Sequence, residues 1–154
     1  MEFEFVQGDP ITEEEAFAEA KKLGLHAFAF DTDTQHDTDL HWHEFSATIW
    51  LVSGEANVAT EDGTVYHATP GCRLRAPAGW LHKELVSPAH RLVIGTDIPV
   101  ESWSQPIDKP AAELSVYLTR WWAGGYLFEF GSRMKKTATA ASGPVAAVTN
   151  HALW

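Results

Sequence analysis

Apolar and polar positions alternate with two different periods along this chain. Near the start, Thr12 and Glu15 form a Thr-x-x-Glu box, in which two side chains satisfy backbone N–H groups at a helix entrance. Ala16, Phe17, Ala20 and Leu23 then recur at helical spacing, while Glu13, Glu14, Lys21 and Lys22 fill the other face. Gly24 is a natural stop, and the pattern predicts a helix over 12–23.

From Leu25 to about Val100 the rhythm changes to short β-branched and aromatic runs. Turn residues punctuate them at Ser53-Gly54, Asp62-Gly63, Pro70-Gly71, Pro77-Ala78-Gly79 and Ser87-Pro88. Strands are predicted at 27–30, 45–52, 55–60, 64–67, 73–76, 83–86 and 91–96. The helices that βαβ crossovers require are missing, so the expected class is all-β, an antiparallel sandwich or barrel forming one domain with its core at about 25–100. After Pro110, the stripe Ala111, Leu114, Leu118 and Trp121 suits a second helix ended by Gly124-Gly125, although Val116, Tyr117 and Thr119 also suit a strand. The rest of the 101–154 extension turns rich in Ala, Thr, Ser and Gly, and 137–154 is expected to be a mobile tail.

Composition narrows the function classes. Among 154 residues, 11 Lys plus Arg stand against 21 Asp plus Glu, a net charge of −10 that disfavours nucleic acid and anionic membrane surfaces as partners. The lone cysteine, Cys72, cannot form an internal disulfide, which fits a reducing compartment. Acidic residues at Glu2 and Glu4 stand where a secretory signal would be basic, and no apolar run approaches the roughly 18 residues of a membrane span. A cytoplasmic location is the expectation. Nucleophile elbow, phosphate-binding glycine loop and dinucleotide fingerprint are all missing from the sequence.

The residues with chemical promise are His41-Trp42-His43. On a strand running from Leu40 to Val52, both imidazoles project to one side and can share a metal ion; ordinary packed or surface histidines fit the same spacing. Further on come Gly71, five residues, Pro77-Ala78-Gly79, two residues, and His82.

Together these segments resemble the two motifs of the cupin superfamily, small jelly-roll β-barrels that bind a metal inside the barrel. The second cupin motif, Gly-x5-Pro-x-Gly-x2-His-x3-Asn, is matched at Gly71, Pro77, Gly79 and His82, with Val86 in place of Asn. The first, Gly-x5-His-x-His followed by Glu and then Gly, is matched at His41, His43 and Gly54. Gln35 replaces its leading Gly, and Ala47 its Glu. The resemblance covers about Asp39 to Gly95.

It implies that His41, His43 and His82 hold one divalent transition metal, with Fe(II) favoured and Zn, Ni or Mn also suited to imidazole. On an unbroken strand Ala47 shares the histidine face, so the site is expected to lack a carboxylate, which favours a non-haem Fe(II) dioxygenase that chelates a small organic substrate beside O2. A metal-dependent lyase, isomerase or cyclase that works without O2 is the alternative, and a small-molecule sensor is another. Glu44, of opposite parity, is expected to act at one remove from the metal, in a second shell, or to be solvated. Arg75 is a candidate for a substrate carboxylate. Phe45, Ile49 and Leu51 should line the interior, and Trp42 and Trp50 should share the outer face, where they need cover either from packing within the chain, by a second sheet or the terminal segments, or from a second copy, which would make a homodimer.

Overall fold

The computed structural model describes residues 2–119. In chain order these form β1 (Glu4–Gln7), α1 (Glu13–Lys22), β2 (His26–Thr32), β3 (His41–Trp42), β4 (Ala47–Ser53), β5 (Ala56–Thr60), β6 (Val65–Ala68), β7 (Cys72–Ala76), β8 (His82–Leu85), β9 (His90–Thr96) and β10 (Lys109–Pro110). Short 3-10 turns lie at Val100–Ser102 and Ala111–Glu113. Residues 2–114 make one compact unit. A second unit begins at Ser115; of it only 115–119 are described, helical, with the Thr119 hydroxyl donating to the Ser115 carbonyl at 2.8 Å. Trp121, Gly124-Gly125 and the expected tail at 137–154 lie outside the described residues. Among the described residues, no helix is long and apolar enough to cross a membrane.

The strands form two five-stranded antiparallel sheets, ordered β1-β7-β4-β9-β2 and β10-β3-β8-β5-β6. This is a jelly roll of the cupin type, with all seven predicted strands present within one or two residues of their expected bounds. The helix stands as predicted, with Thr12 as its cap and the reciprocal Thr12–Glu15 bonds in place.

Period-two patterning assigns the faces of the first sheet. On its outer face Trp50 and Val93 pack with Ala16 and Ala20 of α1, together with Ala27, Ala29 and Val52. On the inner face the cross-strand pairs are Ile49↔Leu74, Ile49↔Ile94 and Ala47↔Thr96. Phe5, opposite Leu74, reaches across to Tyr66 of the second sheet, ring centroids 5.1 Å apart. Trp50 donates its indole N–H to Glu19 at 2.8 Å, so the helix covers this tryptophan and satisfies its one polar atom.

Three features depart from the sequence reading. Neither β1 nor β10 was foreseen. The expected strand over 40–52 is broken: β3 ends at Trp42 in the second sheet, and the chain crosses at residues 43–46 to begin β4 in the first. Trp42 and Trp50 therefore lie on different sheets, and both are buried inside the chain. Trp42 donates to the Pro110 carbonyl at 3.0 Å, with the Lys109 ammonium 6.0 Å from its ring centre. Cover for these two rings comes from within the chain, from α1 for Trp50 and from contacts with Lys109 and Pro110 for Trp42.

Candidate metal centre

β3 and β8 are neighbours, and their register sets His41 directly opposite His82. His43 follows β3 at the crossing between sheets. Its carbonyl accepts the Gly79 N–H at 2.9 Å, which ties the Pro77-Ala78-Gly79 turn to the histidine pair. Gly79 holds φ +79°, the left-handed conformation that glycine adopts at little cost. Gly71, the first residue of the same motif, holds φ +93°, and a Cβ there would sit 2.2 Å from the Asp9 carbonyl oxygen. The motif glycines thus permit the turn and the close approach that deliver His82.

All three histidines are buried, and one ligand atom from each lies within 4.8 Å of the others. Their tautomers are fixed by backbone carbonyls, which only accept. His41 Nδ1 donates to Asp39 at 2.8 Å, His43 Nδ1 to Ile107 at 3.2 Å and His82 Nδ1 to Trp80 at 3.0 Å. Nε2 is therefore the lone-pair nitrogen in each ring, the arrangement found where imidazoles ligate metals. His41 Nε2 is buried and has no hydrogen-bond partner among the described residues. Burial, followed by the neighbouring imidazoles, pushes the His43 pKa down to about 2, and burial also lowers that of His82. Both rings are neutral at ordinary pH. Three buried imidazoles that present Nε2 lone pairs to one another, that of His41 without a hydrogen-bond partner among the described residues, fit a divalent metal and leave its identity open.

The expectation of a site without a carboxylate does not hold. Ala47 is buried on the inner side of β4, but Glu84, two residues beyond His82 on β8, faces the histidines. Its Oε2 lies 3.6 Å from His41 Nε2 and its Oε1 3.6 Å from His82 Nε2. Thr38 holds it in place, donating its hydroxyl to Oε2 at 2.6 Å while accepting the Glu84 N–H at 2.9 Å. Asp108, from the segment before β10, brings Oδ1 to 3.9 Å from His41 Nε2 and 3.8 Å from His43 Nδ1. Burial raises its carboxyl pKa. Glu84 carried a signal in its parity with His82; Asp108 carried none.

Glu44 turns to the segment that supplies Ile107 and Asp108. It accepts from the Ser104 backbone N–H and, at 2.7 Å, from the Ser104 hydroxyl, with Lys109 Nζ 3.9 Å away. Lys109 in turn donates to the Ser104 and Pro106 carbonyls at 3.2 and 2.9 Å. Glu44 thus anchors the wall of the site. Arg75 is not brought to the histidines: it pairs with Thr48 on the outer side of the first sheet, and its guanidinium lies 3.5 Å from Glu4. Aromatic rings line the site. Phe45 stacks on His43 with centroids 5.1 Å apart and on Trp103 at 4.1 Å, and Trp80 stacks on His82 at 4.5 Å.

The fold and site together define a cupin-type jelly roll with a three-histidine cluster inside it. Among solved structures, a cupin 2 domain-containing protein from Halorhodospira halophila is similar over 80% of this chain and 91% of its own, with TM-score 0.50 and 17% identity. A cupin-2 domain protein from Rhodospirillum rubrum is similar over 66% of this chain and 68% of its own, with TM-score 0.43 and 14% identity. A polyketide cyclase from Streptomyces resistomycificus is similar over 56% of this chain and 64% of its own, at TM-score 0.41 and 20% identity. The first of these likenesses supports the fold, and none extends to activity. No protein-family model matches the sequence, and no curated protein matches it.

Proposed function

We propose that the protein is a metal-dependent cupin enzyme acting on a small organic substrate, with His41, His43 and His82 holding one divalent transition metal. The observation that carries this reading is the fixed tautomer of all three rings, each Nδ1 committed to a carbonyl and each Nε2 left as the ligating nitrogen. The metal would supply a Lewis-acid centre that holds and polarises a substrate oxygen. Phe45, Trp103 and Trp80 would give that substrate a flat apolar wall. The buried Asp108 Oδ1, which has no hydrogen-bond partner among the described residues, is positioned to take a proton from it.

The carboxylates beside the histidines favour proton-transfer chemistry, that of a lyase, isomerase or cyclase working without O2. A second reading, the non-haem Fe(II) dioxygenase, is favoured by the three neutral nitrogen ligands and the aromatic wall, a set compatible with Fe(II) and a dry site. Two measurements on metal-loaded protein decide between them, using a panel of diketones, diols, thiols and β-substituted carboxylates. The first reading expects anaerobic turnover or incorporation of solvent deuterium at a substrate carbon, with no oxygen uptake. Oxygen consumption stoichiometric with substrate loss, and no anaerobic exchange, would replace it with the second.

A further inference from the structure

We infer that Glu84 is an anionic fourth ligand of the metal, supplied by β8 of the second sheet in place of the carboxylate that Ala47 does not provide from β4. This rests on the metal reading above and adds the charge and composition of the coordination sphere to it.

The argument starts from an electrostatic misfit. With the Nδ1 protons committed to carbonyls, His41 Nε2 and His82 Nε2 present lone pairs, and what faces them is a carboxylate. Acceptors confronting acceptors at 3.6 Å, beside buried imidazoles, repel each other unless a cation stands between them. Geometry also favours a shared ion. Two ligand atoms about 2.1 Å from one metal lie roughly 3.0–3.4 Å apart across octahedral or tetrahedral angles. The observed separations exceed that by a few tenths of an ångström. Each carboxylate oxygen approaches a different histidine, so either oxygen can enter the sphere by a small rotation of the side chain.

The side chain is also held ready. Thr38 bonds it through the hydroxyl and pairs with the Glu84 backbone, its own N–H donating to the Glu84 carbonyl at 3.0 Å. The carboxylate therefore loses little freedom on binding metal. A ligand set of three neutral imidazoles and one carboxylate leaves two positions of a six-coordinate ion for substrate and lowers the charge of the site by one. It selects a divalent ion that accepts mixed nitrogen and oxygen ligands.

Glu84→Gln keeps the volume and the Thr38 bond while removing the charge, and Glu84→Ala removes the ligand entirely. Co(II) is the probe. Its affinity is measured by competition with a chelator, and its visible absorption reports the ligand field. Both variants are expected to bind Co(II) at least ~10-fold more weakly than the unaltered protein and to change the position and intensity of the visible bands, with far-UV circular dichroism unchanged. Weaker binding with an unaltered spectrum would place Glu84 outside the coordination sphere and overturn the inference, as would unaltered affinity. Failure of the unaltered protein to bind Co(II) at all would instead overturn the metal reading on which this inference stands.

Discussion

The chemistry of the site is set by where individual protons sit. Burial keeps the His43 pKa at about 2, whereas the same ring in an unfolded chain titrates near 6.5. A depressed histidine contributes stability that is fully present above the unfolded value and is lost as pH falls below it, because only the unfolded state takes up the proton. For metal-free protein, His43 alone makes the fold about 2 kcal/mol less stable at pH 5 than at pH 7.5, and His82 acts in the same direction. Urea unfolding of chelator-treated protein at the two pH values checks this; equal stability would mean that the rings already carry charge in the folded state. His41, His43 and His82 were legible because sequence spacing encodes a strand face and a turn. Glu84 shares a strand face with His82 two residues away, so the same period encodes it, whereas the family pattern points to Ala47 on β4. Asp108 and Ile107 reach the site through the chain's return after β9, a long-range closure that no local period carries. Arg75 went astray because alternation alone does not say which face of a strand is inside.

Among the elements, α1 and the central strands were plain in the pattern, since a capping box and a change of period are local signals. β1 was missed although Glu2-Phe3-Glu4-Phe5 alternates, because a four-residue edge strand gains its stability from pairing with β7 rather than from its own sequence. The break at residues 43–46 was invisible for a related reason: Glu44-Phe45-Ser46 continues an acceptable strand pattern, and only the transfer between sheets interrupts it. Glu44 and Ser46 anchor that crossing, Ser46 Oγ accepting the Ala78 N–H at 3.2 Å. The helix holds the outer face of the first sheet through Trp50. Trp50→Ala should destabilise the fold by about 3–5 kcal/mol through loss of a fully buried ring and the cavity left under α1. Thr12→Ala should cost about 1 kcal/mol, the usual worth of a capping side chain. Thermal or urea unfolding measures both, and a Trp50→Ala protein as stable as the original would mean that α1 does not seal this face.

At the scale of the whole molecule, two sheets bring together residues that the chain keeps apart. His41 and His82 meet through the β3–β8 register, His43 joins them at the crossing between sheets, and the segment before β10 closes the wall with Ile107 and Asp108. The apolar inner face of the first sheet does not depend on a metal for its packing, so removing a ligand should leave the barrel folded. The acidic surface, with a net charge of −10, also favours cations over anions near the protein. The most direct test is metal stoichiometry by elemental analysis of protein equilibrated with a divalent transition metal and freed of excess, compared with His82→Ala treated identically. The account predicts one equivalent per chain in the unaltered protein and little in His82→Ala, whose far-UV circular dichroism remains β-rich. One full equivalent retained by a folded His82→Ala protein would contradict it.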